Sequence, residues 1–268
     1  MDLVNIRRER DAITVVEMND PARYNALTTG LIGDLKEAFA SLRHDRETRV
    51  IVLAAQGKGF CAGANMTGND VPIEAANGRG PVGFVQMAQE NLAELILAIH
   101  EAPQPVIAAV HGGAVGGGFA VSLACDLRVA SDDAFFAAHF IRVGLSSCDV
   151  GTSYLLPRIV GPTIAAELML TGRRFSAAEA QQMGLLNRVV AREQLLEQAI
   201  DLGAMITDNS EYGVYMTKIG MWANLDAPSF RNAMQLENRT QVLGCFTGNM
   251  TEAGKAFVEK RDPVWKPM

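Results

Sequence analysis

The stretch from Pro105 to Leu127 constrains this chain most. PVIAAV, a run of β-forming and small apolar residues, passes directly into HGGAVGGGFAVSLACDL. A strand must therefore end, turn through clustered glycines and restart as a helix of small side chains, a unit that belongs in an α/β fold. The first N–H groups of such a helix lack intrahelical partners and lie at its positive end, and glycine lets another atom approach them closely. Gly116, Gly117 and Gly118 thus mark a place for an anion or a polarised carbonyl oxygen. The same glycines would also serve tight packing of helix on strand, and spacing alone does not choose between the two. Their order is not that of a dinucleotide fingerprint, because the G-x-G-x-x-G pattern is broken and Asp126 is expected inside the helix instead of after the next strand.

The flanking sequence extends the α/β pattern. Leu3 to Arg8 and Ala12 to Met18, rich in Val, Ile and Thr, flank Arg10-Asp11 and predict an antiparallel hairpin. Thr28 or Thr29 caps a helix whose apolar positions are Ile32, Leu35, Phe39 and Leu42. VIVLAA, Val50 to Ala55, is an unbroken apolar run of the kind found in strands covered on both faces. Gly68 to Gly83 has no period and predicts a loop, followed by a helix through Leu92, Leu95 and Ile99. Ser176 and Glu179 stand in capping-box spacing, and LLEQAIDLGAMI continues helically after Arg192. Without repeats or a Pro/Ser linker, residues 1–200 read as the α/β core and residues 201–268 as a helical extension of the same unit.

Composition narrows the partners. The chain carries 24 basic against 30 acidic residues, a net charge of -6, which argues against a broad footprint on nucleic acid or anionic lipid. No apolar run approaches the ~20 residues of a membrane span, and MDLVNIRRERDAITVVEMND lacks the apolar centre of a signal peptide. Cys61, Cys125, Cys148 and Cys245 form no CxxC pair, so neither a zinc site nor a disulfide framework is expected, and the reading is cytoplasmic.

A second glycine loop, GKGFCAGANM from Gly57 to Met66, follows the buried strand at Val50 to Ala55. Two backbone donors from separate loops that converge on one carbonyl oxygen would stabilise an enolate, as an oxyanion hole does. NDPARYNAL (Asn19 to Leu27), GKGFCAGANM, PVIAAVHGGAVGGGFAVSLACDL, LMLTGRRFSAAEAQQMGLLNRVV (Leu168 to Val190) and AFVEKRDP (Ala256 to Pro263) resemble, in order, the signatures of the enoyl-CoA hydratase/isomerase family, the crotonases. The resemblance covers nearly the whole chain. It implies a spiral of ββα turns with a C-terminal helical trimerisation region, a homotrimer or dimer of trimers, and an acyl-CoA thioester as substrate with no separate cofactor or metal. The family's oxyanion donors fall on the backbone N–H groups of Ala64 and Gly117. Its CoA and acyl surface falls on Arg23, Ala62, Asn65, Met66, Gly116, Ala120, His139 and Phe140, and Phe257 and Lys260 match a pair that reaches the CoA of a neighbouring subunit.

The acid and base positions depart from that pattern. Hydratases of the family place one glutamate two residues after the triple glycine and another after the following strand, and here those positions hold Ala120 and Phe140, which move no proton. Asp149, in GLSSCDVGTSYLLPRIVG, resembles the aspartate of the DVGT segment in dienoyl-CoA isomerases and of the DxxTSY segment in 4-chlorobenzoyl-CoA dehalogenases. The dehalogenase's histidine position is Ala93, and the isomerase's partner glutamate is Phe140. As an acid/base, Asp149 suits double-bond isomerisation better than hydration, with thioester hydrolysis or silent acyl-CoA binding as alternatives; as a purely structural residue it would cap the helix after it. His139 is a substitute base if its strand turns it inward. Cys61 and Cys148 read as packed thiols, and Met66 and Met87 as core or acyl-pocket lining.

Overall fold

The computed structural model describes residues 2–10, 12–65, 78 and 80–268. Strands β1 (Val4–Glu9) and β2 (Ile13–Met18) pair antiparallel, as the hairpin reading requires, with Arg10 in the left-handed region and Asp11 outside the described residues. Strands β3 (Val50–Ala55), β4 (Val106–Val110), β6 (Leu127–Ser131) and β9 (Arg188–Val190) then add in parallel to give a six-stranded sheet. A smaller sheet contains β5 (Gly113–Val115), β7 (Phe135–Ala137) and β8 (Phe175–Ser176). The chain alternates between the sheets, β4 to β5 and β6 to β7, and so winds the expected ββα spiral.

Side-chain alternation explains why the central strands read as continuously apolar. On β2, Val16 and Met18 enter the main core while Ile13 and Val15 face the opposite side; β3 divides likewise into Ile51 and Leu53 against Val50, Val52 and Ala54. The main core is closed by helices α1 (Thr29–Leu42) and α2 (Pro81–His100), and by α3 (Gly117–Ala124). The other face is closed by α7 (Leu195–Thr207) through Leu195, Ala199 and Ile200. Thr28 Oγ1 accepts from the Leu31 N–H to cap α1. Ser176 and Glu179 form a complete capping box on α6 (Ala177–Gln182). Helices α4 (Thr152–Val160) and α5 (Pro162–Thr171) pack together and add Leu155, Leu156, Ala165 and Leu168 to the main core, and α8 (Glu211–Leu225), α9 (Phe230–Cys245) and α10 (Asn249–Glu259) complete the chain.

Four local expectations are corrected. The glycine-rich segment contains β5, which pairs in parallel with β7 in the second sheet, where the Phe119, Phe136 and Phe175 ring centroids lie 5.6–6.0 Å apart. Helix α3 ends at Ala124, so Asp126 lies in the turn before β6 and not inside the helix. His139 and Phe140 stand on a 3-10 turn, His139–Val143, so strand alternation does not govern where they point. The predicted loop ends early as well, because α2 begins at Pro81, with proline at the start of the helix where its missing N–H costs nothing; residues 68–77 and 79 of it lie outside the described residues.

A buried ion pair fastens α8 to the core. Lys218 Nζ lies 2.7 Å from Asp126 Oδ2 and donates to the Gln104 carbonyl at 2.9 Å. Asp126 also accepts from the Val106 N–H at 2.8 Å and from Trp222 Nε1 at 3.1 Å.

Candidate active site

The two glycine loops meet. The Phe60 N–H donates to the His111 carbonyl, the Cys61 N–H to the Gly113 carbonyl and the Val115 N–H to the Cys61 carbonyl, so Cys61 bridges in parallel to Ala114 of β5. A β-carbon on Gly118 would come 2.2 Å from the Cys61 carbonyl oxygen, and one on Gly63 would come 2.5 Å from the Val115 oxygen. Glycine is therefore required at both positions by close backbone approach. One on Gly117 would lie 3.6 Å from the Ala64 nitrogen, and that of Gly63 3.2 Å from the Gly117 nitrogen, so the Ala64 and Gly117 amides stand side by side. Among the described residues no backbone carbonyl takes up either N–H. Gly117 opens α3, where an N–H has no intrahelical acceptor.

Asn25, which the sequence reading passed over, organises this loop. It is fully buried and left-handed at φ 52°, a conformation asparagine tolerates better than most residues. Its Oδ1 accepts from the Asp20 N–H, its Nδ2 donates to the carbonyls of Gln56 and Gly59, and its own carbonyl accepts from Cys61 Sγ. The signal was an Asn inside NDPARYNAL, where consecutive turn residues precede a helix cap. Burial pushes the Cys61 thiol up to about 12, so it stays a protonated, packed thiol. At the loop's root the Gly57 carbonyl accepts from His111 Nε2 at 3.1 Å and from Arg192 Nη2 at 2.8 Å, and Arg192 pairs with Asp133. Desolvation, reinforced by Arg192, holds the His111 imidazole below its ordinary range.

The expected binding residues fall in different environments. Arg23 closes a 3-10 turn, Pro21–Arg23, with an exposed guanidinium 3.7 Å from Asp20, and the Ala62 N–H reaches the Tyr24 carbonyl, joining that turn to the loop. Ala62 and Ala64 are exposed and Asn65 half-buried, while Met66 lies outside the described residues. Ala120 is fully buried in α3. The Phe140 ring lies 3.9 Å from where a Gly116 β-carbon would stand, so an apolar side chain lines this side of the glycine turn. His139 Nδ1 bonds the Gly172 carbonyl at 3.2 Å, which ties it to the end of α5. Phe257 and Lys260 are exposed at the end of α10.

Asp149 is not the helix cap. Helix α4 starts at Thr152 behind Gly151, which makes no side-chain cap; the Asp149 main-chain carbonyl accepts from the Thr152 N–H instead. Its carboxylate turns to α2, where Oδ1 accepts a hydrogen bond from Gln89 Nε2. Val150 and Gly151 follow at φ 37° and 81°. A β-branched residue in the left-handed region costs of order 1–3 kcal/mol, and such strain persists only where neighbours over-determine the backbone. Ile96 of α2, 3.5 Å from a Gly151 β-carbon, is one of those neighbours. Helix α3 packs against both α2 and α4, so the carboxylate and the glycine turn belong to one three-helix assembly. Gln89 was also missed, since nothing in the sequence pairs it with a residue 60 positions away.

Among the described residues no three His, Cys, Asp or Glu side chains converge as a metal site, and no helix is long and apolar enough to cross a membrane.

This chain is similar to known proteins along its whole length. A family model described as enoyl-CoA hydratase/isomerase matches residues 8–267. "Probable enoyl-CoA hydratase EchA12" of Mycobacterium tuberculosis is 40% identical over 266 residues, covering 99% of this chain and 93% of the relative. A crystal structure of a probable enoyl-CoA hydratase/isomerase from Mycobacterium abscessus superposes with a TM-score of 0.93 at 39% identity, covering 99% of each chain. A monofunctional enoyl CoA isomerase from M. smegmatis superposes with a TM-score of 0.74 at 36% identity, over 88% of this chain and 99% of that one. With the ββα spiral, the paired glycine loops and this agreement from end to end, the chain belongs to the enoyl-CoA hydratase/isomerase family.

Proposed function

We propose that this protein shifts a double bond in an enoyl-CoA thioester, with Asp149 as its single acid and base. The Ala64 and Gly117 N–H groups receive the thioester oxygen, and these neighbouring donors, which no described backbone carbonyl takes up, favour the charge that gathers there when a proton leaves Cα. The Asp149 carboxylate takes that proton, the electron pair moves to the thioester oxygen as a dienolate, and the protonated acid returns the proton at Cγ. Nothing is consumed and the carboxylate is regenerated. The observation that carries the reading is the replacement of both glutamate positions by buried apolar side chains, Ala120 and Phe140, beside a partly exposed carboxylate at Asp149. Adding water would require one group to activate it and another to protonate Cα. Coenzyme A enters as part of the substrate, and no separate cofactor or metal is used. Residues 1–200 carry this chemistry, while residues 201–268 assemble a homotrimer or dimer of trimers in which Phe257 and Lys260 complete a neighbour's CoA site.

The test compares 3-enoyl-CoA and 2-enoyl-CoA substrates with the parent protein and Asp149→Asn. Isomerisation exceeding water addition in the parent, and falling about 10²-fold or more in the variant with unchanged melting, supports the reading. Water addition at equal or higher kcat/KM overturns it, and binding without turnover at high protein concentration favours a silent acyl-CoA binding protein.

A further inference from the structure

We propose that Gln89 is a positioning residue that holds Asp149 through both protonation states of a one-carboxylate proton shuttle; this rests on the reading of Asp149 as the acid and base. Gln89 lies on α2 with Ile96 at helical spacing, and both face the turn that carries Asp149: Gln89 reaches its carboxylate and Ile96 stands 3.5 Å from where a Gly151 β-carbon would be. Gln89 Nε2 donates to Asp149 Oδ1. The backbone after Asp149 is held left-handed at Val150 and Gly151, so the carboxylate is presented by a turn with little freedom and its remaining torsions are set by its partner.

The chemistry selects an amide for that place. A shuttle visits two states, a carboxylate that only accepts hydrogen bonds and a carboxylic acid that must also donate one. A lysine or arginine partner has donors only and fits the first state; an ionised glutamate has acceptors only and fits the second. A glutamine has both, an NH2 group for the carboxylate and, after a turn about its terminal torsion, a carbonyl oxygen for the acid. The proton taken from Cα can then remain on Asp149, restrained by Gln89, until it is delivered to Cγ. Two carboxylates sharing a water serve hydration; a carboxylate with an amide serves transfer within the substrate, so Gln89 also bears on which reaction the cleft performs.

The experiment runs 3-enoyl-CoA in D2O with the parent, Gln89→Lys, Gln89→Leu and Asp149→Asn, and follows both isomerisation and deuterium entering recovered substrate and product by mass spectrometry. For Gln89→Lys, which keeps a donor and loses the acceptor, isomerisation should fall about tenfold or more while Cα exchange persists, raising exchange per turnover by a similar factor at nearly unchanged KM. Gln89→Leu should slow exchange and isomerisation together. If Gln89→Lys keeps the parental ratio of exchange to turnover, the two-state role is wrong, whether turnover is normal or uniformly reduced. If Asp149→Asn retains both exchange and isomerisation, the acid/base reading itself fails, and the two failures are thereby distinguished.

Discussion

Lys218→Met tests the ion pair that fastens α8 to the core. The side chains of Lys218 and Asp126 are only 7% and 11% exposed, and the ammonium sits 2.7 Å from the carboxylate. Methionine matches the stem of lysine in length and apolar character, so packing is largely kept and the charge is what goes. Asp126 would retain two neutral donors, the Val106 N–H and Trp222 Nε1, with the buried Arg128 guanidinium as a nearby positive charge, and would lose its ion-pair partner; the Gln104 carbonyl would lose a donor as well. Removing one partner of a buried ion pair costs about 3–5 kcal/mol. At roughly 2 °C per kcal/mol for a chain of this size, melting should drop by about 6–10 °C. Adding Asp126→Asn removes the orphaned charge while keeping an acceptor for Val106 or Trp222, so the double variant should recover at least about 1 kcal/mol of the loss. Thermal unfolding followed by circular dichroism, with urea titration for the slope, reads both variants. A single variant within about 1 kcal/mol of the parent, or a double variant less stable than the single, would show that the pair does not anchor the extension.

Four further outcomes concern other parts of the molecule. Gly118→Ala forces a β-carbon against the Cys61 backbone at 2.2 Å and should destabilise by about 2 kcal/mol or more, whereas Gly117→Ala meets only the Leu27 side-chain tip at 2.9 Å and should fold. Turnover of folded Gly117→Val should still fall on the order of a hundredfold, and near-normal turnover would remove its amide from the chemistry. Because burial lowers His111 in the folded protein, the unfolded chain binds its proton first: this contribution is full above about pH 6.5, the unfolded value, and is lost as pH falls through that value toward the lower folded one. Melting between pH 5 and 8 should show the loss, and His111→Gln should flatten that part of the profile. Truncation after Gly254 should lower both the mass seen by light scattering and the affinity for an acyl-CoA analogue in calorimetry, and a monomer that binds fully would contradict a shared site.

Much of the fold was legible because it rests on local rules. The hairpin, the Thr28 cap, the Ser176 capping box and the helices around Leu92 and Leu195 depend on alternation, helical spacing and short-range hydrogen bonds. The departures arose where a distant partner decides. Gly113–Val115 became a strand because Phe135–Ala137 and Cys61 pair with it, and the chain around His139 became a 3-10 turn in the contact with Gly172. No local periodicity carries that information.

The sequence by itself determined the glycine loops, the apolar residues at Ala120 and Phe140, and the strands buried on two faces, since these depend on which side chains are present. Tertiary structure alone decided that the Ala64 and Gly117 amides lie side by side, that Asn25 ties down the loop, that Asp126 waits for Lys218 and that Gln89 reaches Asp149. Each of those contacts joins residues tens of positions apart, and their side-chain types, a glutamine or an asparagine, suit many surroundings. Only the packing of the spiral brings the donor and the acceptor within hydrogen-bonding distance.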